Sequence, residues 1–379
     1  MARVEQRAQQ SRKRPKQGRV DYAVLGTTIG LIAFGLLMLF SASFYYGQNR
    51  FGDGYYYIEK QLLGIAIGAV AMFFLARIDY HFWLRWWWVI YAAGIVILLL
   101  VWVPGIGISS NEATRWVKLP GGIQFQPSEL TKYALIIAVA AKVQKLGPAR
   151  MQSFGKGVVP ILLLMAPVGV LILLQPNFSM LAILAIACFI MLMMSGVQWL
   201  QIGVLAGAGV GAGSVLMLAK GYRANRVSGF LDPWNDPNAH QLRQSLIAFG
   251  SGGLWGKGLG ASRQKFLFLP YGESDMIFAI IAEELGFVGA AALLAAYVFL
   301  YARCFRIAMR CPDAGGSLLA GGVTTLLALQ TLVNVGVATG SIPTTGQTLP
   351  FISAGTTSIV VCMAVMGLIL NVSRSCNSK

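Results

Sequence analysis

Ten stretches of this chain are apolar for long enough to cross a bilayer, and no other feature limits its fold so strongly. A spanning helix needs about 17–25 predominantly apolar residues. Such runs fall at 22–43, 60–76, 86–103, 128–142, 158–174, 177–196, 198–219, 275–302, 317–340 and 350–373. The fourth is short unless it extends to either side. The fifth and sixth are parted only by Gln175-Pro176-Asn177, where proline breaks the helix. Composition agrees, because 56% of the 379 residues are hydrophobic and only 12% are charged. Soluble domains carry roughly twice that charge, so a water-soluble globule could not be covered. Disorder is excluded by the same balance. The expected fold is an all-α polytopic integral membrane protein of about ten transmembrane helices. It divides into a basic tail (1–21), one membrane domain (22–373) and a short tail (374–379).

Charge places the ends. Thirty Lys and Arg stand against 14 Asp and Glu, a net +16 that could suggest nucleic acid. Topology explains it better, and no nucleic-acid partner is expected. The N-terminal tail is polar and basic, without the apolar core or cleavage site of a signal peptide. With both termini cytoplasmic and ten crossings, 18 of the 30 basic residues fall inside, as the positive-inside rule requires. Seven of the other twelve lie between Lys220 and Lys265. They belong to a large extracytoplasmic loop, 220–274, between helices seven and eight. An anionic ligand on the outer side would account for that cluster. Phe230, Trp234, Phe249, Trp255, Phe266 and Phe268 argue that the loop is ordered.

The five cysteines sit in apolar runs (Cys188, Cys362) or basic, cytoplasmic segments (Cys304, Cys311, Cys376), so no disulfide is expected. Only His81 and His240 could join them, at no zinc-like spacing, and no protein-bound transition metal is expected. The stripe from Phe82 to Trp88 reads as an interfacial aromatic belt and nothing more.

Chemistry concentrates on the outer side. Arg115-Trp116 precedes Gln126-Pro127-Ser128-Glu129-Leu130-Thr131-Lys132, where proline starts a helix and Glu129 and Lys132 share a face. That pair is either an ion pair tying helices together or part of a site, since ionisable residues in spanning segments line interiors or cavities. Asp275 stands at the outer boundary and is either a helix N-cap or, in a dry cavity, a general base. Glu283 and Glu284 lie deeper and suit a structural or cavity-lining role. The glycine-rich stretch 250–260, with Lys257, could approach a phosphate, but no strand–turn–helix unit surrounds it, and a structural loop fits better. Between the last two helices, Pro343-Thr344-Thr345-Gly346 and Pro350-Phe351-Ile352-Ser353 break the chain. Irregular backbone there lines a cavity or is buried, which makes Thr345 and Ser353 cavity candidates.

These segments resemble the SEDS family (shape, elongation, division and sporulation). The resemblance rests on Arg115-Trp116, Phe125 to Lys132, Arg226 with Phe230-Leu231-Asp232-Pro233-Trp234, and Gln244 to Ala248. It continues through Ser262-Arg263-Gln264-Lys265, Leu269-Pro270, Asp275-Met276-Ile277-Phe278-Ala279, Glu283 to Phe287 and the two breaks after Pro343 and Pro350. The matches fall in order along nearly the whole chain. Asp-Pro-Trp and Ser-Arg-Gln-Lys are closer to the division branch, FtsW, than to the rod-elongation branch, RodA. Three places depart from the family pattern: Glu273-Ser274 where it has His-Thr, Asn177 where it has Asp, and Ala354-Gly355-Thr356 where it has Tyr-Gly-Gly.

The resemblance implies a peptidoglycan glycosyltransferase in the bacterial cytoplasmic membrane. It would polymerise lipid II during septum synthesis and release undecaprenyl pyrophosphate. Asp275 would be the general base. Arg115, Lys132, Arg226 and Lys265 would neutralise the pyrophosphate, Glu129 would orient Lys132, and Trp116 would accompany Arg115. The implied partners are a class B penicillin-binding protein, a transpeptidase, and other division proteins. No cofactor is required by any motif, although a divalent cation, Mg2+ or Mn2+, could bridge the pyrophosphate. The rival readings are a lipid II flippase, a non-catalytic division scaffold, or an elongation or sporulation role within the family.

Overall fold

The structure is a computed structural model and describes residues 18–110, 113–118, 124–218 and 221–376. Most of the basic tail, residues 1–17, lies outside the described residues, as does 377–379. The chain begins with α1 (Tyr22–Phe51), α2 (Tyr56–Arg77), the short α3 (Tyr80–Arg85) and α4 (Trp87–Leu99). A sheet follows, then α5 (Pro127–Met151), α6 (Val159–Leu174), α7 (Phe178–Met194) and α8 (Trp199–Leu218). After α9 (Gly221–Leu231) and α10 (His240–Gly252) come α11 (Ile277–Arg310), α12 (Ala314–Ala338) and α13 (Thr356–Cys376). Each of the ten apolar windows therefore holds a helix. Among the described residues, seven helices are long and apolar enough to cross a membrane, while α4 and α7 are apolar but shorter.

Two expectations need correction. The fold is not purely helical, because 107–125 forms a three-stranded antiparallel sheet of β1 (Gly107–Ser110), β2 (Ala113–Lys118) and β3 (Gln124–Phe125). Ile108, Thr114, Trp116 and Val117 are residues that favour a pleated, half-buried surface, and Ile108 stands opposite Trp116. Nor is 220–274 a single loop: α9 and α10 occupy nearly half of it.

The bundle is built around α12 and α13, whose apolar windows are 72% and 78% buried within the protein. α8 lies at the other extreme, with none of its window buried, so its apolar faces suit lipid rather than a protein core. α2 packs along α13 through small residues. A Cβ on Gly64 would stand 2.7 Å from Ile359 Cγ2, and one on Gly68 would stand 2.7 Å from Met363 Sδ. Glycine lets these backbones approach where dispersion contacts replace a hydrophobic drive.

α11 is broken at Gly286, whose φ of 68° and ψ of −170° are not helical. The freed backbone groups are taken up by the glycine-rich loop. Lys257 N donates to Glu283 O at 3.0 Å and Gly258 N to Glu284 O at 2.9 Å, while Phe287 N and Val288 N return to Gly253 O and Leu254 O. This is how irregular backbone survives at membrane depth.

Candidate functional site

One cavity lies where β2, α7, α9 and the α12–α13 connection meet. It has a volume of about 200 Å³ and is lined by Arg115, Asn177, Phe178, Arg226, Ile342 and Thr345 among others. Its rim carries two cations held by backbone oxygens. Arg115 Nε donates to Gln175 O at 3.1 Å, and its Nη2 donates to Pro176 O. Arg226 Nη1 donates to Thr344 O at 3.0 Å. A carbonyl orients a guanidinium without neutralising it. The Thr345 hydroxyl oxygen is buried without a hydrogen-bond partner among the described residues.

Asp275 lies behind Gly346. Its Oδ2 lies 3.4 Å from where a Cβ on Gly346 would stand, and Gly346 lines the cavity. The N-cap alternative fails, because Met276 occupies that position and α11 has no side-chain cap. Asn334 Nδ2 donates 2.8 Å to the Asp275 backbone oxygen and 2.7 Å to Gln347 O, fixing the aspartate by its main chain. Burial pushes the carboxyl up to about 7, with the nearby charge of Glu273 adding to the shift and Arg226 and Arg115 opposing it. A carboxyl poised near neutrality suits proton transfer.

The remaining sequence candidates are held elsewhere. Lys132 is fully buried in α5, where Nζ meets Glu129 Oε2 at 2.9 Å and Gln330 Oε1 at 2.9 Å. Gln330 Nε2 in turn donates to Thr348, so the pair reaches the cavity only through the connection that carries Thr345. Glu129 thus holds Lys132 in the ion pair that their spacing offered as one alternative, since a lysine this deep needs an anion beside it. Lys265 is also paired, its Nζ lying 3.0 Å from Glu284 Oε1. Glu283 does not line this cavity; it takes Lys257 Nζ at 2.6 Å, Ser251 Oγ, Ser262 Oγ and two backbone N–H groups. Ser353 is buried and pins the connection, donating to Ser274 O at 2.6 Å. Trp116 is half-buried on β2, one residue from Arg115.

Residues 22–378 match the cell cycle protein family named for FtsW, RodA and SpoVE. The chain belongs to this family. It is similar to stage V sporulation protein E of Bacillus subtilis, at 37% identity over 361 residues that cover 95% of this chain and 98% of that one. It is equally similar to the probable peptidoglycan glycosyltransferase FtsW of Geobacter sp. (strain M18), 37% identical over 359 residues, covering 93% of this chain and 96% of that one. Among solved structures, a chain described under the structural coordination of polymerization and crosslinking by a peptidoglycan synthase complex superposes with a TM-score of 0.77. It is 28% identical and covers 94% of this chain and 98% of that one.

Against the family pattern, Asn177 retains the local role its position demands. It caps α7, accepting from Met180 N at 3.4 Å, and asparagine caps as well as aspartate. Glu273 has more effect, because it places a second buried acid within electrostatic reach of Asp275. Sequence reading passed over Gln330 and Asn334. Two amides four residues apart in an apolar helix are the signal that could have found them.

Proposed function

We propose that this FtsW/RodA/SpoVE family member is a peptidoglycan glycosyltransferase that joins lipid II units into glycan strands and releases undecaprenyl pyrophosphate. The observation that carries the reading is a carboxylate, Asp275, set against Gly346 in the wall of a cavity edged by Arg115 and Arg226. The relatives' names give the substrate class.

In the reaction, the acceptor sugar hydroxyl attacks the anomeric carbon of the growing strand and inverts it. Asp275 accepts the hydroxyl proton as the C–O bond forms. The bond to pyrophosphate breaks, and Arg115 and Arg226 meet the negative charge that develops there. The Thr345 hydroxyl adds a donor at the same rim. Lys132, Glu129 and Gln330 act as positioning residues behind the connection. The protein donors at the cavity, one carboxylate and one hydroxyl, suit a Mg2+ or Mn2+ that keeps water and phosphate ligands. Such a cation would add positive charge at the pyrophosphate.

The chain crosses the bacterial cytoplasmic membrane ten times with both termini in the cytoplasm, and the cavity opens outside. The 18-to-12 basic split supports this orientation. The partner is a class B penicillin-binding protein that cross-links the strand, in keeping with the crosslinking named for the solved neighbour. Septum synthesis is the cellular role; the sporulation relative at equal identity makes spore-wall synthesis the alternative.

Purified protein with its transpeptidase and labelled lipid II should yield long glycan strands on a gel. Lipid II left unpolymerised by a folded complex would remove the reading. A maleimide placed outside should reach His240→Cys, which lies at the exposed start of α10.

A further inference from the structure

The end of the bundle remote from Asp275 holds a second cavity, about 240 Å³, lined by Val20, Asp21 and Tyr22 at the approach to α1 and by Arg303, Arg306 and Arg310 near the end of α11. α11 runs for 34 residues from beside Asp275 to Arg310. Its unbroken part after Gly286, 24 residues at 1.5 Å per residue, is already roughly 36 Å, longer than the hydrocarbon core is thick.

Three guanidinium groups share this cavity with one carboxylate, and that carboxylate is already committed. Asp21 Oδ1 caps α1 at Ala23 N and Val24 N, and Oδ2 accepts from Arg303 Nη2 at 2.8 Å. Asp21 N donates to Ser373 Oγ and Gly18 N to Arg374 O, so the segment leading into α1 is anchored to the end of α13. Arg303 Nε is buried there without a hydrogen-bond partner. Arg306 and Arg310 are exposed, with no hydrogen bond or ion pair among the described residues.

The buried, unsatisfied Arg303 N–H carries a cost that a bound acceptor would relieve, and the two guanidinium groups beside it favour an anion as that acceptor. Planar guanidinium groups match tetrahedral phosphate oxygens by paired N–H donors. The cavity also lies at the depth where a spanning helix reaches the headgroups, and basic pockets between helices suit phosphate headgroups.

We propose that this cavity binds a phosphate group, supplied by the headgroup of an anionic phospholipid or by free phosphate, and that the anion ties α11 to the start of α1. The site is separate from the polymerising centre and does not depend on it.

The test uses the full-length protein, purified and given defined mixtures of phosphatidylglycerol and phosphatidylcholine in detergent, with retained lipid measured by native mass spectrometry. Wild type should keep phosphatidylglycerol in preference to phosphatidylcholine. Arg306→Gln with Arg310→Gln should weaken that preference by roughly five-fold per arginine. Both side chains are exposed, so the variant should fold, and its melting temperature checks this. Lys145→Gln with Arg150→Gln, two exposed cations at the end of α5, removes the same charge elsewhere and should leave the preference intact. A parallel arm adds inorganic phosphate alone and reads protection of the wild type against heating. Lipid selectivity identifies the headgroup as the source; stabilisation by inorganic phosphate without lipid selectivity identifies free phosphate. Neither effect, or equal loss in the two double variants, overturns the proposal.

Discussion

Lys132 Nζ lies 2.9 Å from Glu129 Oε2 inside the bundle, with side-chain exposures of 1% and 6%. The two are one turn apart on α5, so the pair braces that helix and, through Gln330 on α12, the connection beside the cavity. Removing one partner strands the other as a buried charge. Lys132→Ala should cost about 3–5 kcal/mol, seen as a large fall in melting temperature and yield. Lys132→Met with Glu129→Gln should recover much of the stability while polymerisation stays low, because the Gln330 link is gone. A stable, fully active Lys132→Ala protein would contradict this positioning role.

Arg115 donates to the Gln175 and Pro176 carbonyls and Arg226 to the Thr344 carbonyl, and both stand within electrostatic reach of Asp275. Alanine at either should leave the fold intact and slow polymerisation by roughly 10²–10³, the usual cost of losing one charge-assisted contact in the transition state. Gel assays beside melting curves separate the two effects. Unchanged rates in both variants would refute their assignment to the leaving group.

Much of the fold was legible because the bilayer imposes a length on apolar runs, and a helix stands in every window the hydropathy marked. The sheet at 107–125 was not, since its strands are short and lie among turn residues without a spanning pattern. Lys132 meets Glu129, the partner its spacing offered, and Lys265 shows the limit at the site, because sequence does not reveal a carboxylate that lies 19 positions away. Only the packing of α11 puts Glu284 beside Lys265. Arg115 and Arg226, 111 positions apart, come together because β2 and α9 both close over the α7 end.

The glycine loop predicts a purely structural effect. A Cβ on Gly286 would stand 2.3 Å from Gly256 N, and its φ of 68° is one that other residues rarely adopt. Gly286→Ala should lose about 1–3 kcal/mol from the backbone alone, with the clash adding to it. Thermal unfolding should register the loss, and limited proteolysis should find loop 253–260 newly open.

The acid near neutrality predicts a pH profile. As the proposed base, Asp275 would act only when deprotonated, so polymerisation should rise with pH through about 7. The nearby charges set the direction of each variant. Glu273→Gln removes a neighbour that raises the value and should move the limb to lower pH; Arg226→Gln removes one that lowers it and should move the limb up. Stability follows the opposite slope. The folded state holds the proton where the unfolded chain has released it, so this group's contribution falls as pH rises from the ordinary carboxylate range to about 7. A limb that ignores Glu273→Gln would remove the electrostatic account.

Asp275→Asn separates chemistry from architecture. The side chain is nearly the same shape, and the backbone contact with Asn334 does not involve the carboxylate. Met276, not Asp275, stands at the head of α11, so no cap is lost. The substitution also removes a partly desolvated acid, so the melting temperature should hold or rise slightly. What disappears is the capacity to take a proton from the acceptor hydroxyl, and turnover should fall by about 10²–10⁴. Lipid II binding and transpeptidase association should persist, since neither needs proton transfer. Translocation would not need a base at this boundary, so a flippase would keep working with asparagine here. Long glycan strands from a pure Asp275→Asn protein would mean that the proton leaves by another route, and the carboxylate would then be only an electrostatic neighbour of Arg115 and Arg226.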